Sequence, residues 1–527
     1  MTAQPIIDGK KYDVIVIGGG AAGAASAQNL AAAGYETLLV DQGDFASGTS
    51  SRSSRLLYCG LAYFSPDYEL WRFLYRPRDL FTRIRMARLS MRNRTHIAST
   101  MPERVNPYTF FFPVEKKGKY AGWKVALGYR ALSLFGSRKA PLGYHHLETE
   151  KAASRHGLVR HMEKSKLSGL ACFREYQYNW AERICIDTVM DAERCGATIA
   201  NYTQVTAIDR AGDDWRITLA PAGHPGKAPK PASNATIQVS GKILVNTAGP
   251  WADRVLKKAI ASPKKHLVGI KGVNVVVRLP DDCRGQGMET ISSIDQPFYL
   301  MPWGDYHFFG PTETIYEGPP EDVRVLDEEI DFIIAEANRV FPKLNLTRKD
   351  VVYRWCGVRP RTSDTGKMGV KSFTMHDMAA EGMPNALTIT GTPIMVHRHA
   401  GRKVAAEVAR RISPSGRARP LSYAARLLPS GDGPKIGGVP VESLRFAAAN
   451  EHVHTLLDLM FRRVNMGWQG DMGIPHARAV AQSVADILGW DEQRIDEEVD
   501  AYRAYVADHF DPRILKSPAA DYAEQTA

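Results

Sequence analysis

Four glycines stand close together near the start of this 527-residue chain, at positions 18, 19, 20 and 23. Gly18-Gly19-Gly20-Ala21-Ala22-Gly23 has the spacing G-x-G-x-x-G. Glycines so spaced permit a tight turn and let the backbone approach a pyrophosphate. A helix opening just after them offers free N–H groups and a positive dipole end. Asp41 lies 23 residues after Gly18, where a carboxylate can accept hydrogen bonds from ribose hydroxyls. Gln42 follows it, and Gly48-Thr49-Ser50-Ser51-Arg52-Ser53-Ser54 adds hydroxyls and amides for a second face of the same ligand. The chemistry indicated is dinucleotide binding, and NAD and FAD share this fingerprint.

The elements that must hold these residues read clearly. Tyr12–Ile17 is a β-branched run, apolar on both faces, suited to the centre of a parallel sheet. Ala24–Ala33 is an alanine-rich helix ended by Gly34, and residues 35–40 form a second strand closing at Asp41. Hydrophobic residues make up 44% and charged residues 24%, which excludes collagen, a coiled coil and a disordered chain. The charge is 68 − 57 = +11, which favours anionic partners. Six scattered cysteines without a C-x-x-C pair fit a reducing cytoplasm and argue against a zinc site, so no metal is expected. No signal-peptide core and no spanning stretch is read. No internal repeat is seen.

Later blocks carry a resemblance. Asp41-Gln42 with Gly48-Thr49-Ser50-Ser51, then Asn246-Thr247-Ala248-Gly249-Pro250-Trp251, Ile270-Lys271-Gly272, Met301-Pro302-Trp303, Phe309-Gly310-Pro311-Thr312-Glu313, Gly357-Val358-Arg359-Pro360 and Gly391-Thr392 follow in order. Together they resemble the FAD-dependent glycerol-3-phosphate dehydrogenases of the D-amino-acid-oxidase-like superfamily. Leu456–Arg463 and Leu488-Gly489-Trp490-Asp491 resemble that family's extra C-terminal helices.

The resemblance implies an α/β fold: a Rossmann-type FAD-binding domain, an interleaved antiparallel-sheet substrate domain and a C-terminal α-helical domain. The FAD-binding parts are set at 1–105, 151–265 and 346–415. A substrate or cap insertion is set at 106–150, the substrate domain at 266–345, a linker at 416–445 and the helical domain at 446–527. Residues 412–441 are rich in Pro, Gly, Ser and Arg, and residues 219–235 read as an exposed hairpin loop.

The implied cofactor-binding residues are Gly18, Gly20, Ala22, Gly23, Asp41, Gln42, Thr49, Ser50, Ser51, Ser54, Val205, Ala248, Gly249, Trp251, Gly391 and Thr392. The implied reaction is hydride transfer from the secondary alcohol of sn-glycerol 3-phosphate, or a related polyol phosphate, to flavin N5. Electrons then pass to quinone. A base near neutral pKa serves best, which favours histidine. His397 is therefore the first candidate base, ahead of His399 and His307. Arg359 is expected to hold a substrate oxyanion, with Lys371 and Tyr63 as further substrate contacts.

The chain departs from the family where substrate should bind. Tyr58, Cys59 and Ala62 replace the usual His, Gly and Arg, Val273-Asn274 replaces Ser-His, and Pro393 stands where lysine is usual. Two rivals stay open: an amine or amino-acid oxidase-like flavoenzyme, and a flavin-binding protein without turnover. The arginine-rich stretch 72–94 and the aromatic run Tyr108–Val114 suggest an anionic membrane surface as a partner. The expected location is cytoplasmic, peripheral on the inner face of the cytoplasmic membrane. No nucleic-acid module is read. Quinone or oxygen as acceptor, and a homodimer or another oligomeric state, stay open.

Overall fold

Lys11–Ile17 is apolar on both faces and becomes the central strand of the first sheet. The computed structural model describes residues 6–60, 77–116, 122–223, 236–363 and 372–515. Along the main path of this sheet the strands run 374–377, 386–390, 237–246, 11–17, 37–40 and 198–200. The joins between 386–390 and 198–200 are parallel, and 374–377 closes one edge antiparallel. Asp214–Pro221 pairs antiparallel with Ile237–Asn246, a hairpin whose loop at 224–235 lies outside the described residues.

Ala21–Ala32 packs against Ala181–Arg194 and His397–Val408. Alanine dominates it because small side chains let its neighbours come close. A Cβ on Gly401 would lie 2.3 Å from the Ala25 carbonyl oxygen. Gln28 donates to Asp191 at 2.8 Å and fixes the register with the second helix.

The second sheet follows the order 314–315, 267–277, 306–310, 297–303, 286–291, 105–115, 167–178 and 56–57, and Val351–Thr362 pairs along Leu267–Val277. It is mixed rather than wholly antiparallel. Gln286–Ile291 lies parallel to Val105–Glu115, at the join between a meander from the later chain and strands from the earlier chain. The aromatic run also differs from expectation. Phe110 and Phe111 are wholly buried and Phe112 nearly so, since their strand lies inside the sheet and packs on both faces.

The C-terminal helices Val441–Asn450, Ala477–Leu488 and Glu492–Phe510 share one core with the second sheet. Trp303, Trp355, Phe461, Trp468 and Phe510 meet there edge to face. The Arg55 guanidinium lies 4.5 Å from the Trp303 ring centre and 4.2 Å from that of Trp468, and it pairs with Glu182 at 3.2 Å.

Further ion pairs lock the same seam. Arg183 donates to Glu451 at 2.5 and 2.8 Å. Asp44 accepts from Arg463 at 2.6 and 2.8 Å, from Arg462, and from Asn201 at 2.9 Å. Burial alone would raise the Asp44 pKa; Arg463 and Arg462 override it and hold the carboxyl well below its usual range.

Asp44→Ala leaves the buried Arg463 guanidinium without its carboxylate and Arg462 with Asp458 alone. It should lower unfolding free energy by about 3–5 kcal/mol, read from denaturant midpoints. Because the folded pKa is depressed, this contribution is present above the unfolded pKa and is lost as pH falls below about 4.

Candidate active site

A cavity of about 1180 Å³ runs from the end of the first sheet to the face of the second. That exceeds an ordinary small-ligand pocket of about 300–1,000 Å³ and suits an extended dinucleotide with a substrate beside it. One end is formed by Gly18, Gly20, Ala22, Asp41 and Gln42, with Tyr202 and Val205 opposite. Gly18 has φ +104°, and a Cβ there would lie 2.7 Å from the Thr247 oxygen. A Cβ on Gly20 would meet the Ser50 hydroxyl at 3.2 Å, so a side chain there would crowd the cradle.

Asp41 is braced by the turn it serves. Its two carboxylate oxygens accept from the Gly19 amide at 2.6 Å and the Gly43 amide at 2.8 Å. Burial outweighs these bonds and raises its pKa to about 6. Ser50 accepts from the Ala21 amide at 3.0 Å, tying the first helix to the 49–52 turn. Thr49 donates to the Val358 carbonyl at 2.6 Å and links that turn to the second sheet.

Thr49, Ser50, Ser54, Ala248, Gly249, Trp251, Gly391 and Thr392 line the middle of the cavity. The Thr392 hydroxyl is buried with no hydrogen-bond partner among the described residues, so a ligand can use it. Two other expected contacts lie behind the wall. Gly23 fits the helix onto the turn, with a Cβ position 1.7 Å from the Gly18 oxygen. Ser51 spends its hydroxyl on the Gly48 carbonyl at 2.9 Å.

Tyr58, Tyr299, Glu313, Arg359 and Arg361 form the other end. Arg361 pairs with Glu313 at 2.7 Å and Arg359 reaches the same oxygen at 3.4 Å. Among the described residues, two guanidiniums thus share one carboxylate at this end of the cavity. Gly272 makes room: a Cβ there would lie 2.6 Å from the Arg359 guanidinium. Burial holds the Tyr58 and Tyr299 phenols well above their ordinary pKa, so both remain hydrogen-bond donors.

The expectation for His397 is corrected. It is fully buried and outside the cavity wall, with Nδ1 against the Ile394 carbonyl at 2.6 Å. Burial, with Arg398 and Arg402 nearby, pushes its pKa down to about 3, far below what a base requires. The helix opens at this residue and directs the ring inward, while Pro393, Ile394 and Met395 line the cavity. His399 and His307 also lie outside the wall; His307 holds the Cys283 carbonyl at 3.1 Å. Cys59 and Asn274 are buried away from it. Tyr63, Ala62 and Lys371 fall outside the described residues.

Sequence reasoning missed Arg361, Tyr299 and a set from the C-terminal helices: Leu457, Arg462, Tyr505, Asp508 and His509. Arg361 sits two residues beyond Arg359, a visible signal. The C-terminal contributors carry no local signal.

Comparison with known proteins agrees with this geometry. A family profile described as FAD dependent oxidoreductase matches residues 13–406. A glycerol-3-phosphate dehydrogenase from Synechocystis is 28% identical over 95% of this chain and 97% of its own length. The crystal structure of the Bacillus halodurans glycerol-3-phosphate dehydrogenase complexed with FAD superposes with a TM-score of 0.69 at 20% identity, covering 94% of this chain and 95% of that one. Glycine oxidase from Geobacillus kaustophilus superposes at 0.55 and 17% identity, covering 79% of this chain and all of its own.

Two outcomes follow from the cradle. Gly23→Ala should yield protein with severalfold less bound cofactor, read as visible absorbance per unit protein. An ionised carboxylate accepts from hydroxyls more strongly than a neutral one, so cofactor affinity should rise as pH climbs through about 6 and then level off; Asp41→Asn should flatten that profile.

Proposed function

The chain belongs to the FAD-dependent oxidoreductase family, and on that premise we propose that it oxidises sn-glycerol 3-phosphate, or a related polyol phosphate, to the ketose phosphate. The observation that carries this reading is the pair Arg359 and Arg361 around Glu313, a cationic end of the cavity suited to a phosphate oxyanion. Similarity to the Synechocystis dehydrogenase across almost the whole chain, C-terminal helices included, supports it.

The residues present fit FAD: the glycine turn, the Asp41 acceptor and the unused Thr392 hydroxyl lie along one cavity. When bound, the isoalloxazine supplies the acceptor for a hydride from the alcohol carbon. The chain's own groups do the rest. Arg359 and Arg361 hold the oxyanion and set the distance of the secondary carbon. Tyr58 and Tyr299 keep their protons and donate to substrate oxygens. Glu313 stays ionised between the two guanidiniums and fixes their spacing. Pro297, Pro311 and Pro393 add apolar wall that limits water.

We assign electron exit to a membrane quinone. Helix Pro77–Thr100 exposes Phe81, Arg85, Arg88 and Arg92, while Arg94 turns inward to Glu175 at 3.4 Å. The adjoining helix Gly122–Phe135 exposes Trp123 at 62%, Leu127 at 58% and Leu134 at 84%. Apolar tips among arginines suit the interface of an anionic bilayer. No helix among the described residues is long and apolar enough to cross a membrane.

Anaerobic titration of the holoenzyme with sn-glycerol 3-phosphate and tetritol phosphates should bleach the flavin absorbance. Bleaching by amino acids or amines alone would overturn the reading. Arg359→Leu should cost about 2–5 kcal/mol in kcat/KM, carried largely by KM. His397→Asn should leave the pH–rate profile between about pH 5 and 8 unshifted. Co-sedimentation with anionic vesicles should occur at low salt and weaken in Trp123→Ser/Leu127→Ser; equal pelleting with neutral vesicles would contradict the membrane assignment.

A further inference from the structure

The two sheets do not complete the cavity. Leu457, Arg462, Ala501, Ala504, Tyr505 and Asp508 close one side, and all lie beyond residue 406, where the family match ends. Four fastenings hold this side in place. Arg462 and Arg463 grip Asp44, three residues past the ribose acceptor Asp41, and Arg462 also donates to Asp458 at 2.6 Å. Tyr202 faces the cavity from the first sheet and donates to Asp458 at 2.6 Å. Arg52 ends the turn that holds the first helix; it donates to the Tyr505 hydroxyl and lies 4.6 Å from the Phe510 ring centre. At the rim, Arg324 forms a two-point ion pair with Asp508.

We propose that the C-terminal helical region is a cofactor clamp: its 456–463 segment and 492–510 helix form one wall of the FAD cavity, and FAD binding and docking of this region strengthen each other. Three of the fastenings end on elements that carry cofactor-facing residues, namely the 41–44 loop, the 49–52 turn and Tyr202. A ligand enclosed by that wall binds the docked form better than an undocked one, and linkage makes the effect reciprocal. Arg462 is a positioning residue here, since its guanidinium is committed to Asp44 and Asp458. The proposal rests on FAD occupying this cavity and not on the substrate's identity.

Hydrogen exchange of the full chain with and without FAD tests it. Amides in 456–463 and 495–510 should exchange at least about tenfold more slowly with FAD bound, together with those in 18–24. Protection confined to 18–24 would overturn the clamp while leaving FAD binding intact. Release of FAD from diluted holoenzyme, followed by flavin fluorescence, gives an independent reading. Asp508→Ala and Tyr505→Phe should each speed release severalfold, whereas Arg445→Ala, which breaks the distant exposed pair with Asp486, should not. Wild-type release rates in both cavity variants would also overturn it.

Discussion

Asp44 meets Arg462 and Arg463 where no water screens the charges, and three parts of the fold converge there. The carboxylate belongs to the loop that carries Asp41. The guanidiniums belong to the C-terminal segment, and Asn201 and Tyr202 follow the strand at the sheet's edge. A buried ion has a large desolvation cost, so the arrangement is favourable only with every partner present. The position of the 41–44 loop, the wall of the cavity and the seam between the first sheet and the C-terminal helices therefore stand or fall together.

A second shared charge governs the other end. Glu313 lies between Arg359 and Arg361, so among the described residues two guanidiniums meet one carboxylate there. Such a site is pre-organised for an oxyanion and needs no rearrangement to receive one. Tyr58 stands where the resemblance led one to expect a histidine, and Tyr299 lies with it at the same end of the cavity. Burial keeps them protonated, so each can donate a hydrogen bond.

What the sequence revealed follows from range. The glycine turn, its strand and its helix sit within about thirty residues, and each obeys a local rule of periodicity or glycine geometry. The two sheets and the helical C-terminus were legible through ordered blocks, although the parallel join of 105–115 to 286–291 was not. His397 misled because a residue type says nothing about the direction of a helix's first turn; here the ring goes inward, with Nδ1 on the Ile394 carbonyl. Phe110–Phe112 misled in the same way, since an aromatic run reads alike on a surface and inside a sheet. Arg462 lies 418 residues from Asp44, and no local pattern joins them.

The central claim is that this cavity removes hydride from the secondary carbon of a polyol phosphate. Anaerobic stopped-flow reduction of the holoenzyme by sn-glycerol 3-phosphate deuterated at C2, beside the C1-deuterated compound, tests it directly. Flavin bleaching should be severalfold slower with deuterium at C2 and unchanged with deuterium at C1. Slowing by the C1 label, or equal rates for all three compounds, would contradict it.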